Sequence, residues 1–185
     1  MSRLLEKKET ALLVIDVQER INAVMADQGH VPRIEVLVEA CRGLEVPVVA
    51  SEQYPQGLGS TVDGLKATLA KTPVGKLAFS CIRDEDSRWA IESCRRRQIL
   101  VTGIETHVCV LQTVLDLLAA GYQVHVPHDA VNSRRLTDKE WALRRMETAG
   151  AVITSTESAL FELLERCDTA DFKTLAKLIK RIPVT

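Results

Sequence analysis

A chain of 185 residues, 46% hydrophobic and 26% charged, has the make-up of an ordinary globular domain, which excludes disordered and collagen-like classes. Its 24 Lys and Arg against 25 Asp and Glu leave a formal charge of -1, so no long-range field draws it to phosphate backbones or anionic membranes, and neither is an expected partner. No segment approaches the roughly 20 apolar residues that span a bilayer, and the opening Met1-Ser2-Arg3-Leu4-Leu5-Glu6-Lys7-Lys8 is too charged, with too short an apolar run, for a secretion-signal core.

In chain order, the first apolar run, residues 11–15, reads as a strand buried on both faces. Helical spacing follows at Ile34, Leu37, Val38 and Cys41, closed by Gly43, and a second buried run occupies 46–50. The longest loop-like stretch, 51–60, sits at the C-terminal end of that strand, where doubly wound sheets bind ligands. Trp89, Ala90 and Cys94 carry helical spacing before a third strand at 98–102. An amphipathic helix through Val110, Val114, Leu117 and Leu118 stops at Gly121, and strand 123–126 follows it. A helix with Trp141, Leu143, Arg144 and Met146 ends at Gly150, and strand 151–154 comes next. After Ser155 the chain reads as helix, with Leu160, Phe161, Leu163 and Leu164, then Phe172, Leu175, Leu178 and Ile179; this tail packs either on the domain or on a partner chain. Alternation of this kind predicts an α/β class, a three-layer α/β/α arrangement around a mostly parallel sheet. No linker or repeat divides the chain, so residues 1–185 read as one domain.

Five cysteines, Cys41, Cys81, Cys94, Cys109 and Cys167, form no CxxC pair, a pattern suited to a reducing cytoplasm. Cys41, Cys94 and Cys167 fall on helical patterns and read as core or near-core residues. Cys109 differs, because it stands between a buried strand and an amphipathic helix. In a first helical turn, the dipole and unpaired N–H groups favour its thiolate and can hold a developing oxyanion. Asp16 follows the first strand directly, either a solvated loop carboxylate or a group delivered to the sheet edge. Lys76, after Pro73 and Gly75, reads by itself as a solvated charge.

Three segments carry a resemblance: Asp16-Val17-Gln18 at a strand end, Lys76-Leu77-Ala78-Phe79-Ser80, and the Gly-Ile/Val-x-Thr-x-Val-Cys-Val pattern at 103–110. In order and spacing they are similar to the isochorismatase-like cysteine hydrolases, over roughly residues 10–165. The resemblance implies a triad in which Asp16 takes the thiol proton, Cys109 attacks, and Lys76 balances the negative charge. It also implies a cis peptide at Ile104–Glu105 and an oxyanion hole formed by the N–H groups of Val108 and Cys109. The implied reaction is hydrolysis of a small amide or related carbonyl compound, by a homo-oligomer of two or more chains.

Gln18, Tyr54 and Phe79 are the pocket residues expected on this reading, while His107 lines the pocket or caps its helix. Nicotinamidases of this family carry an Asp-x-His metal site after the second strand, where this chain has Ser51-Glu52-Gln53-Tyr54-Pro55-Gln56-Gly57-Leu58-Gly59 and no histidine. The histidines His30, His107, His125 and His128 lack ligand spacing there, so neither metal nor cofactor is expected. The 52–59 run resembles the isochorismatase-domain-containing subgroup. A chain that keeps this fold as an idle binding or scaffolding module is the alternative. A flavodoxin- or Rossmann-type nucleotide site would need a glycine-rich turn after the first strand, where Asp16-Val17-Gln18-Glu19-Arg20 stands instead.

Overall fold

Alternation along the first strand decides the architecture. In β1 (Thr10–Ile15) every residue is buried. Leu12 and Val14 enter one apolar cluster and Ala11, Leu13 and Ile15 the other, because successive strand side chains point to opposite faces. Such a strand needs helices on both sides. The computed structural model, which describes residues 4–182, supplies them; residues 1–3 of the N-terminal segment considered for a secretion signal lie outside the described residues, as do 183–185 at the end of the expected domain.

From β1 the chain passes through α1 (Glu19–Asn22), α2 (His30–Gly43), β2 (Val48–Gln53), α3 (Pro55–Leu58), α4 (Asp63–Thr68) and β3 (Val74–Lys76). Then come α5 (Glu85–Ser93), β4 (Gln98–Ile104), a π-helical turn (Thr106–Val110), α6 (Leu111–Ala119) and β5 (Gln123–Pro127). The last elements are β6 (Val131–Asn132), α7 (Leu136–Thr148), β7 (Val152–Thr154), α8 (Thr156–Leu164) and α9 (Ala170–Ile179). The sheet runs β3-β2-β1-β4-β5-β7, every pairing parallel, with β6 joined to the end of β4. Residues of α2, α8 and α9 cover one face, and residues of α5, α6 and α7 the other. This is the three-layer α/β/α sheet that the alternation predicts.

Each of the five apolar runs contributes a strand. β3 and β6, three and two residues long, are too short to carry a periodic signal. The tail packs on the domain, with Leu160, Leu163 and Leu175 buried beside α2 and Arg181 donating to both carboxylate oxygens of Glu39 at 2.7 and 2.9 Å. Cys167 lies in the break between α8 and α9 and is exposed, which corrects its reading as a core residue. Cys94 is half-buried at the C-cap of α5, and Trp89 is turned outward at 70% exposure while Ile91 fills the core instead.

Topology sets the place of the site. The chain winds from β1 out through β2 to β3, then returns to lay β4 on the other side of β1. The C-terminal ends of β1 and β4 therefore flank the point where strand order reverses, the crevice that open α/β sheets use for ligands.

Candidate active site

β1 ends in a sharp turn at Asp16, whose φ of 53° is left-handed. Aspartate is among the few non-glycine residues that visit this region readily. The turn is tied down on both sides, since Asp16 N–H donates to the Ser51 carbonyl at 3.1 Å and the Asp16 carbonyl accepts from Gln18 N–H at 2.8 Å. Across from it, β4 approaches so closely that only glycine fits: Gly103 has φ +118°, and a Cβ there would stand 2.1 Å from the Ile15 carbonyl oxygen. The Ile104–Glu105 peptide that follows is cis. Glu105 then opens the π-helical turn that holds Cys109, its carboxylate accepting from Arg134 N–H at 3.0 Å and Arg134 Nε at 3.1 Å.

The structure brings Asp16, Lys76 and Cys109 together. Lys76 Nζ lies 2.8 Å from Asp16 Oδ2, with both side chains at 0% exposure. The same ammonium donates to Gln53 Oε1 at 2.6 Å and to the carbonyls of Ala78 at 3.2 Å and Phe79 at 3.1 Å. Its ordinary reading as a solvated surface charge is thereby replaced. Ser51 Oγ donates to Asp16 Oδ1 at 2.8 Å. The Cys109 thiol, only 4% exposed, sits close enough to Asp16 and Lys76 for both charges to act on its ionisation.

Charge balance explains how these groups titrate. One ammonium faces one carboxylate, so a thiolate would be a second buried anion. Burial first, then the Asp16 charge, push the Cys109 thiol upward, while Lys76 pulls the other way. For Lys76, burial works against the ammonium, but the charges of Asp16, Cys109 and Cys81 outweigh it and hold its pKa above the usual lysine value. The resting arrangement is thus a thiol beside a carboxylate–ammonium pair. That direction is opposite to the one drawn from a helix end, because Cys109 sits inside a buried π-helical turn rather than at a solvated N-terminus.

Several side chains carry other duties than those expected. Gln18 is fully buried and its amide is spent on the backbone: Oε1 accepts from Gln53 N–H at 2.7 Å, and Nε2 donates to the carbonyls of Gln53 at 3.0 Å and Gly59 at 2.7 Å. It clamps the ends of β1 and β2 rather than presenting an amide to a pocket. Val108 N–H donates to the Glu105 carbonyl at 3.1 Å, so in this state it is not aimed at an oxyanion. His107 does not cap its helix; its Nδ1 pairs with Ser133 Oγ at 3.0 Å and its Nε2 lies 4.0 Å from Asp138. Tyr54 and Phe79, both about half exposed, stand just past the C-terminal ends of β2 and β3, and the Tyr54 ring lies so close over Gly57 that a Cβ there would meet it at 2.3 Å.

Three further polar residues of the site are not marked by the sequence motifs: Ser51, Gln53 and Cys81. Ser51 and Gln53 are two apart on β2 and so share a face. Neither carries a local spacing signal; both lie in the stretch 51–59, which stands where nicotinamidase-type chains carry their metal site. Cys81 is a second buried thiol, its Sγ 3.6 Å from Ser51 Oγ, pushed up to about 11 by burial and then by Asp16. Among the described residues no three His, Cys, Asp or Glu side chains converge to hold a metal ion. A groove of about 660 Å³ runs elsewhere, along the β2 edge below β3, lined by Val48, Ala50, Val74 and Trp89 and by none of the triad. Among the described residues no helix is long and apolar enough to cross a membrane.

Comparison with known proteins agrees with this geometry. Residues 10–158 match the isochorismatase domain. Isochorismatase domain-containing protein 1 of Danio rerio is 39% identical over 166 residues, covering 89% of this chain and 59% of that protein. The chain thus spans about three-fifths of the length of this relative. Among solved structures, the MAR1 ribonuclease from Caenorhabditis elegans superposes with a TM-score of 0.91 at 38% identity, covering 98% of this chain and 95% of that one. The YcaC gene product from Escherichia coli, an octameric hydrolase of unknown specificity, shares the fold with a TM-score of 0.89 at 23% identity, covering 96% and 91%. By the domain match, which spans residues 10–158, and by the shared parallel sheet, this chain belongs to the isochorismatase family and carries its hydrolase fold.

Proposed function

We propose that the chain is a cysteine hydrolase that cleaves a small amide or related carbonyl compound through a covalent Cys109 intermediate. The observation that carries this reading is a buried Cys109 thiol beside a carboxyl group that Lys76 and Ser51 hold in place. A thiol pushed upward by its surroundings is a poor resting nucleophile. It becomes a good one if its proton leaves as the new bond forms, and Asp16 is positioned to receive it.

As Cys109 Sγ bonds to the carbonyl carbon, the thiol proton passes to Asp16 and the carbonyl electron pair moves onto oxygen. The negative charge thus moves from Asp16 to that oxygen, which the Cys109 N–H is proposed to stabilise, and the total within the site stays constant. Collapse of the tetrahedral adduct breaks the C–N bond, and the Asp16 proton leaves on the amine. Water then attacks the thioester, Asp16 takes its proton, and expulsion of sulfur returns that proton to Cys109. Lys76 stays protonated throughout and keeps the carboxylate ionised between steps.

The MAR1 relative is named a ribonuclease. For this chain a net charge of -1 offers little long-range attraction to a phosphate backbone, and a buried thiol suits attack on a carbonyl. A reducing cytoplasm fits five free thiols, and assembly into homo-oligomers belongs to the same proposal. Incubation with a panel of small amides, ureas and esters, with RNA included, tests the reading by intact mass and ammonia release. An acyl adduct mapped to Cys109 in the wild type, absent in Cys109→Ala, supports it. Turnover that persists in Cys109→Ala overturns it.

A further inference from the structure

Resting on the proposed use of Asp16 as proton acceptor, we propose that Ser51, backed by the Cys81 thiol, is the positioning residue that sets how readily Asp16 takes the proton of Cys109. The two oxygens of the Asp16 carboxyl group are divided between different donors: Oδ2 receives the Lys76 ammonium at 2.8 Å and Oδ1 receives the Ser51 hydroxyl at 2.8 Å. A hydroxyl has one proton to give. Ser51 gives it to Asp16, and its own oxygen faces the Cys81 thiol at 3.6 Å. Burial keeps Cys81 protonated, so it acts as a donor behind the serine, and its backbone is pinned by Cys81 N–H donating to Thr113 Oγ1 at 3.0 Å. Ser51 is equally fixed: it lies in register with Ile15 on the neighbouring strand, and its carbonyl accepts the Asp16 N–H at 3.1 Å.

A chain of donors therefore runs from Cys81 through Ser51 to one carboxylate oxygen, while the thiol of Cys109 meets the same group as substrate-facing nucleophile. Hydrogen bonds to the ionised form of an acid hold its proton off. Without Ser51 the carboxylate would bind a proton more tightly, and the state with the proton on Asp16 and a thiolate on Cys109 would be more populated. Because thiol plus carboxylate and thiolate plus carboxylic acid contain the same number of protons, alkylation of Cys109 should rise along an acid limb and then reach a plateau, both properties of the pair.

The test follows alkylation of Cys109 by iodoacetamide from pH 4 to 9, located by peptide mass mapping, with circular dichroism as the fold control. Ser51→Ala should move the midpoint of the acid limb upward by about one pH unit and raise the plateau several-fold. Ser51→Thr, which keeps the hydroxyl, should restore the wild-type midpoint. Cys81→Val should move it in the same direction by less, and Cys81→Ser should leave it in place. A merely structural role would change the plateau through exposure and leave the midpoint alone. If Ser51→Ala does not fold, Cys81→Val alone decides, and an unmoved midpoint in the folded variant overturns the proposal. Asp16→Asn separates the two levels of argument. If Asp16→Asn keeps the wild-type limb and plateau, the coupling of Cys109 to Asp16 fails; if a single thiol titration replaces them there, but the wild-type midpoint is unmoved by the Ser51 and Cys81 variants, only the positioning proposal fails.

Discussion

Lys76 Nζ and Asp16 Oδ2 meet 2.8 Å apart with neither side chain reaching solvent. An isolated charge at either position would be costly, whereas the pair, with Gln53 and two carbonyls completing the ammonium, is well satisfied. Lys76→Met should therefore cost about 3–5 kcal/mol in urea denaturation, since it strands a buried carboxylate. The double variant Asp16→Asn/Lys76→Met should recover more than half of that loss. A single-variant cost under about 1 kcal/mol would mean that water reaches the pair after all.

Asp16→Asn should separate thiol ionisation from turnover. The Asp16 charge opposes a Cys109 thiolate and Lys76 favours it, so removing the carboxylate leaves only the cation acting on the sulfur. Cys109 in this variant should titrate as a single group at lower pH than its upward-shifted value in the wild type, and alkylate faster than wild type near pH 9. Turnover of any substrate found should nonetheless fall by roughly 10²–10⁴, because no group remains to move the proton. Slower alkylation at pH 9 would show that Asp16 favours the thiolate on balance and reverse the sign argued here.

How far these relationships are legible in the sequence varies with their length scale. The strands announce themselves where runs of mostly apolar residues are buried on both faces, as in 11–15 and 98–102, and the site motifs lie directly at their ends. Lys76 is different: its strand has three residues, and its burial follows from pairing with β2, Gln53 standing opposite Lys76, a long-range contact that no local pattern encodes. The motif around Asp16 points Gln18 to a pocket, yet its amide is consumed by the backbone of β2 and of Gly59. The direction of the Cys109 shift depends on burial and on the charges of Asp16 and Lys76, none of which a helix end encodes. Ser51 and Cys81 are single polar residues in segments with no spacing of their own, brought together by the β1–β2 register and the packing after β3.

Gly103 gives a prediction about how the two halves of the site are held in register. A methyl group there would lie 2.1 Å from the Ile15 carbonyl oxygen, on a backbone with φ +118°. Backbone is what it would strike, and neither β1 nor β4 can retreat without breaking the ladder that places Asp16 and Cys109. Gly103→Ala should cost more than about 3 kcal/mol or leave the protein insoluble, through strain and lost pairing together. Gly43, the last residue of α2, is the control, with open space around its Cβ position and no positive φ. Gly43→Ala should be neutral or stabilising by up to about 1 kcal/mol. Equal melting shifts for the two variants would sink the close-approach argument.

His30 makes stability depend on pH in a range that the triad does not control. It is buried at the start of α2, with Nε2 paired to Asn22 Oδ1 at 2.9 Å and Nδ1 to Asn132 Nδ2 at 3.3 Å. Burial, outweighing the nearby Asp27 charge, lowers its pKa from 6.5 to about 4. Asn132 Nδ2 can only donate, so Nδ1 must accept, and the neutral tautomer with its proton on Nε2 satisfies both neighbours. The unfolded chain takes up a proton near pH 6.5, and the folded chain does not until about pH 4. Stability is therefore full above pH 6.5 and declines as pH falls between those values, by up to about 1.4 kcal/mol per unit and roughly 3 kcal/mol in all. His30→Gln keeps a donor and an acceptor without a titrating group, and should flatten the slope of unfolding free energy between pH 6.5 and 5, above most carboxylate titrations. Measured by urea denaturation at several pH values, parallel slopes for wild type and His30→Gln would show that the imidazole binds its proton equally in both states.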